Sequence, residues 1–163
     1  MPQIVFEAMP DAARVWVFGA TSPITGAPAE KLLSAVDAHL AEWKAHGEPL
    51  VCAREWRDDR FLAIAVDEAA TGASGCSIDG LFRVLKDMER ALGASMVDAD
   101  AVFWRDESQD VQSVDRQSFR ALARNGIVRE GTTVFDTAVN DVGGWRARFE
   151  RPAADSWHRK LLM

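Results

Sequence analysis

The sequence predicts an α+β fold, and two observations lead to it. Strand and helix patterns follow one another as β-α-β-β-α-β over residues 12–106. Within that order the first and third strands are apolar on both faces, which suits central strands. Under the handedness rules for connections, this is a ferredoxin-like sandwich with an antiparallel sheet of order 4-1-3-2. Strands one and three are then the inner pair. Residues 107–163 are expected as a helix plus β-hairpin extension packed on residues 12–106, all within a single domain spanning 1–163.

The elements follow from local pattern. Residues 13–18, ARVWVF, read as the first strand. Pro23 and Gly26 mark a loop, and Pro28 suits the first turn of a helix. Leu33, Val36, Leu40 and Trp43 recur at helical spacing through 29–45, and Gly47 reads as the stop. Residues 50–57 and 60–66 read as a hairpin turning at Asp58-Asp59. That turn sets Cys52 opposite Ala65 and Leu50 opposite Asp67. Ile78, Leu81, Leu85, Met88 and Leu92 form a helical stripe that ends at Gly93, with Ser74 or Ser77 as cap. Residues 100–105 read as the fourth strand. In the extension, 113–125 read as a helix and 132–139 as a strand. Trp145, Ala147 and Phe149 alternate with charged residues as a half-buried strand. A short last helix carries Trp157 and Leu161, with Asp155 as its cap.

Composition bounds the function. The 163 residues are 48 % hydrophobic, enough for a sizeable core and too many for long disorder. Lys and Arg total 19 against 25 Asp and Glu, so the net charge is −6. This balance opposes a nucleic-acid partner, which calls for a basic stripe. No apolar run approaches the roughly 18 residues of a membrane span, and the first residues lack signal-peptide character. The expectation is a cytoplasmic protein. Two cysteines and three histidines show no metal-ligand spacing, and no cofactor motif is present. Asp37, Glu42, Asp87 and Glu89 read as solvating charges on helix faces.

The predicted topology gathers distant residues at one edge of the sheet. His46 closes the first helix, Asp67 and Glu68 follow the third strand, and Cys76 opens the second helix. A thiol at a helix N-terminus is drawn toward thiolate by free N–H groups and the dipole. His46 would act as its base, and Asp67 or Glu68 would orient the imidazole. Gly72, Ser74, Gly75, Ser77 and Asp79 would line the ligand, with Gly72 to Gly75 letting the backbone approach an anion. Each residue also has a plainer reading. Cysteine is often buried as a small hydrophobe, a histidine suits a helix C-terminus, and Asp67-Glu68 suits a solvated turn. Cys52 reads as core, and His39 and His158 as structural.

Sharper motifs are absent. No Gly-Lys-Ser/Thr follows the glycine-rich segment, so nothing supports ATP hydrolysis. Arg83 lies one residue too far from Cys76 for a thiol phosphatase loop. Neither CxxC nor GxSxG occurs.

ARVWVF near the start, Trp43-x-x-His46-Gly47, VDE at 66–68 and SGCSID at 74–79 together resemble a family of small uncharacterised bacterial proteins. These are common in Bacteroidetes and often carry an automatic ABC transporter ATPase label. The resemblance extends to VFDTAV and Ser156-Trp157, while Gly19 to Thr25 departs from the family's aromatic-rich run. It implies no activity, but its His-Gly, VDE and GCSID pieces fall on the same predicted edge. The first expectation is a small-molecule or anion site centred on a reactive thiol, in a Cys-dependent hydrolase, transferase or thiol redox protein. The alternative is a non-catalytic module for ligand binding, regulation or dimerisation, and a homodimer is the expected assembly if the chain self-associates. A partner-binding protein would show an exposed apolar patch around Trp145 or Trp157.

Overall fold

A computed structural model describes residues 3–45, 47–71 and 78–163. It is an α+β structure with antiparallel sheets of three and four strands and a two-residue ribbon. The first sheet has the order β1-β5-β4, built from β1 (Arg14–Gly19), β4 (Cys52–Arg57) and β5 (Phe61–Val66). Strict alternation along these strands gives the sheet two apolar faces. Phe18, Cys52, Leu62, Ile64 and Val66 point to one side. Val15, Ala53, Phe61, Ala63 and Ala65 point to the other.

Two helices cover the first face. In α1 (Gly26–Ala41), Leu32, Val36 and Leu40 recur every four residues and are fully buried. In α3 (Asp79–Leu92), Leu81, Leu85 and Leu92 make the matching stripe. Gly93 ends α3 in the left-handed region at φ 68°, its N–H on Glu89 O at 2.9 Å. α1 stops four residues short of the expected end. The ribbon β2 (Lys44–Ala45) and β3 (Glu48–Pro49) follows it, and Gly47 serves that turn at φ 81°.

The predicted hairpin is present, with its register corrected by one residue. Asp58 and Asp59 both have positive φ, near 57°, as a primed two-residue turn requires. Arg60 is an extra residue, so Arg57 pairs with Phe61 and Cys52 with Val66, not Ala65. Arg60 is 5 % exposed. Its guanidinium donates to Ala20 O (3.1 Å) and Val111 O (2.7 Å), which ties the turn to the second sheet.

The ferredoxin-like order 4-1-3-2 is not what the chain adopts. Strands one, three and two are adjacent as expected, but the fourth, β6 (Ala101–Arg105), leaves them. It enters a second sheet of order β7-β6-β8-β9 with β7 (Val111–Asp115), β8 (Thr133–Phe135) and β9 (Glu150–Pro152). Along the edge of β1, Val15 N–H instead meets Asn140 O at 3.0 Å, and Arg14 bridges to Asp141.

Other expectations for residues 107–163 also change. Ser113 to Asp115 belong to β7, and the helix α4 (Arg116–Arg124) starts later, capped by the Asp115 side chain on Ser118 N–H at 2.7 Å. The expected turn up to Gly144 and the expected strand from Trp145 give way to the helix α5 (Val142–Arg148), capped by Asp141 on Gly144 N–H. The alternation of Trp145, Ala147 and Phe149 was thus misleading. Trp145 and Phe149 lie one helical turn apart and both are buried. The last turns are 3₁₀, at Ala153–Asp155 and Trp157–Leu161; no side chain bonds to cap either, so Asp155 is not the cap.

The second sheet is also apolar on both faces. Phe103, Phe135, Phe149 and Trp145 meet the alanine-rich face of the first sheet. Phe61 is at their centre, with ring centroids 4.8–5.1 Å from Phe103, Phe135 and Phe149. Val102, Trp104 and Val134 face Phe119 of α4 and Leu161. The layers therefore run helix, sheet, sheet, helix. No helix among the described residues is long and apolar enough to cross a membrane.

Candidate functional site

The lower edge of the first sheet is the row Arg14–Val66–Cys52, where β1 and β4 begin and β5 ends. The last turn of α1 lies over it, since Leu40 O accepts the Cys52 thiol at 3.6 Å. The first turn of α3 lies against that same turn of α1. A Cβ added to Gly80 would stand 3.0 Å from His39 Cε1, so glycine permits the close approach. The end of α1, the start of β4, the end of β5 and the start of α3 therefore share one edge.

Asp67 follows β5, and its N–H donates to Val51 O at 2.9 Å, which holds the chain as it leaves the sheet. Glu68 opens the short helix α2 (Glu68–Thr71) and pairs with Arg14 at 3.5 Å. The Arg14 guanidinium also lies over the Trp16 ring, 4.3 Å from its centroid. A cavity of about 390 Å³ opens here, with Arg14, Asp67 and Glu68 on a wall of Pro10, Ala12 and Ala13. Asp79 is in the first turn of α3, where its charge suits the helix dipole. His46, Gly72, Ser74, Gly75, Cys76 and Ser77 lie outside the described residues.

The other candidates resolve into structural roles. Cys52 is a free, fully buried thiol, and desolvation pushes it up to about 11. The His39 ring packs on Trp43 with centroids 5.6 Å apart, and burial lowers its pKa. His158 is fully buried, and desolvation, then the nearby Arg116 charge, push it down to about 4. Trp145 is 4 % exposed and packs against Phe6 and Phe149. Asp37 is not merely solvating. It holds Arg54 through two bonds, at 2.7 and 3.0 Å, and accepts from Gln3. The Arg54 bond is the main cause that lowers its pKa. Glu89 likewise accepts from Ser95 Oγ at 3.1 Å.

Two polar clusters escaped the sequence reading. Glu150 of β9 joins Arg57 and Arg105, and Arg105 also reaches Asp58 at 3.3 Å. Glu55 of β4 accepts from Trp145 Nε1 at 2.5 Å. Both clusters bridge segments some 90 residues apart or join the two sheets, so no local spacing announces them. Among the described residues, no group of three or more His, Cys, Asp or Glu is placed to hold a metal ion. Compared with family models, curated proteins and solved structures, the chain matches none.

Proposed function

We propose that the lower edge of the three-stranded sheet is a small-molecule or anion site centred on the Cys76 thiol. In this reading Cys76 is a thiolate just before α3, and His46 takes its proton. Asp67 or Glu68 orients the imidazole. Gly72, Ser74, Gly75, Ser77 and Asp79 form the ligand cradle. The supporting observation is the meeting of four element ends at one edge, beside an open cavity that carries Asp67 and Glu68. Glu68, which opens α2, lines that cavity, and α3 begins at Asp79. Thiolate chemistry at such an edge suits acyl transfer, hydrolysis or thiol exchange.

A second reading rests on Arg14. Its guanidinium lines the same cavity and would hold an anion with no covalent step. The protein would then be a binding or regulatory module.

Alkylation of the folded protein against pH tests the first reading. Cys52 is silent in that assay because it is buried and its pKa is raised. The expected Cys76 profile titrates well below the usual value of about 8.5 and moves up in His46→Ala. A thiol that reacts only on unfolding refutes the thiolate site. Full retention of anion binding in Cys76→Ser, with its loss in Arg14→Gln, selects the second reading.

A further inference from the structure

The outer helix of the second sheet concentrates positive charge. Residues 116–129 contain four arginines and no carboxylate, in a chain whose net charge is −6. Three of them, Arg116, Arg120 and Arg124, stand four residues apart in α4 and are exposed. They follow one another at about 6 Å along one side of the helix, while Phe119 is fully buried beneath it. The 3₁₀ turn Trp157–Leu161 lies beside this row, with Arg159 and Lys160 exposed. Arg120 Nη1 reaches Lys160 O at 3.5 Å. Arg116 and Lys160 both lie over the half-buried Trp157 ring, 5.1 and 5.5 Å from its centroid. These cations form one patch that runs from Trp157 along α4.

Helix stability does not account for the patch. Like charges four residues apart repel one another. Arg116 is the first residue of α4, where the dipole disfavours a cation, and only Arg124, in the last turn, suits it. Arg116 meets Asp100 at 3.8 Å, but among the described residues no ion pair forms at Arg120, Arg124, Arg159 or Lys160. Unpaired arginines gathered against their own repulsion are complementary to carboxylates, which a guanidinium holds with two parallel N–H donors. The patch is also short. Arg116 to Arg124 spans about 12 Å. Asp115 and Glu130 bracket the arginine run, and Asp100 and Asp136 stand at its Arg116 end. These acids, with the negative charge of the rest of the chain, repel a long polyphosphate and leave room for a few carboxylates.

We propose that this patch docks a short acidic segment of a partner protein. The carboxylates of that segment pair with Arg120, Arg124, Arg159 and Lys160, and its apolar atoms rest on the exposed part of Trp157. The surface does not depend on Cys76 or the lower edge.

The test is fluorescence anisotropy of fluorescein-labelled hexaglutamate titrated with the full chain. The expected Kd is roughly 100 µM at low salt and about fivefold weaker at roughly 0.15 M salt. Arg120→Glu combined with Arg124→Glu should weaken binding about tenfold, and the milder pair Arg120→Gln with Arg124→Gln about threefold. Lys31→Glu combined with Lys86→Glu makes the same change in net charge at exposed positions of α1 and α3. It should alter the affinity less than about twofold. Circular dichroism reports that each variant keeps its fold. A labelled thymidine heptanucleotide, which carries six phosphodiesters, should bind more weakly than hexaglutamate. The proposal is overturned if hexaglutamate gives no saturable signal, or if the variants on α4 and those on α1 and α3 lose affinity equally. A heptanucleotide that binds as tightly as hexaglutamate would also overturn it and mark a nucleic-acid surface instead.

Discussion

His158 makes the protein acid-sensitive in a way that can be isolated. The ring is fully buried, stacked on Trp157 with centroids 4.0 Å apart and edge-on to Phe119. Its Nδ1 is 2.8 Å from Ser156 Oγ, and its Nε2 has no partner among the described residues. Protonation would bury a cation without a counter-charge, near the Arg116 guanidinium. Burial thus pushes the folded pKa to about 4, against 6.5 for an ordinary imidazole. Between these values the unfolded chain binds more protons than the folded one, so stability falls as the pH falls through the window. The full loss amounts to roughly 3 kcal/mol, of which about 2 kcal/mol is gone by pH 5. Urea unfolding of the wild type and His158→Leu from pH 7.5 to 4.5 measures it. Asp37 and Asp115, whose pKa values are held low by Arg54 and by the Ser118 N–H, add acid losses to both proteins. These cancel in the difference. The wild-type curve should fall more steeply by about 2 kcal/mol between pH 7 and 5. Parallel curves would refute the reasoning, because His158 would then titrate alike folded and unfolded.

Three further outcomes follow from packing. Gly19→Ala places a Cβ 2.5 Å from the Phe103 ring and should cost about 1–3 kcal/mol in urea unfolding, with part of the loss recovered by adding Phe103→Leu. Asp59→Gly removes a non-glycine residue from φ 56° and should raise stability by up to about 1 kcal/mol; Asp58 is left alone because it pairs with Arg57 and Arg105. Arg60→Met strips donors from Ala20 O and Val111 O and should cost about 2–3 kcal/mol, visible as a lower urea midpoint.

Local pattern made much of the chain legible. The stripe of α3, its stop at Gly93 and the turn at Asp58-Asp59 follow from residue spacing and from backbone conformations that few residues accept. The register did not, because Arg60 adds a residue beyond the turn and buries its cation against carbonyls of distant segments. Helix α5 was hidden because Trp145 and Phe149 fit a period of two as well as a spacing of four. At the candidate site, Asp67 after β5 and Asp79 in the first turn of α3 follow from sequence, but Glu68 reads as loop and in fact opens α2, and its pairing with Arg14 is not legible. That pair joins β1 to α2, which only the closed sheet brings together.

The departure of β6 from the first sheet has a physical cause that the strands themselves carry. A ferredoxin-like sandwich covers one face of its sheet with helices and leaves the other to solvent or a partner. Here the second face presents Val15, Ala53, Phe61, Ala63 and Ala65, and a Phe there costs about 2–3 kcal/mol to leave in water. Small residues on that face let another sheet approach closely, and Phe103 and Phe135 supply the bulk that fills the space. If β6 paired beside β1, Phe103 would lie within the first sheet and could no longer cover Phe61 from above. Residues 140–141 occupy the β1 edge instead, and β6 becomes an inner strand of the opposing sheet. Strands apolar on both faces therefore marked a second layer as much as a central position. The same layering leaves a cavity at the lower edge of the first sheet and another against the outer face of the second.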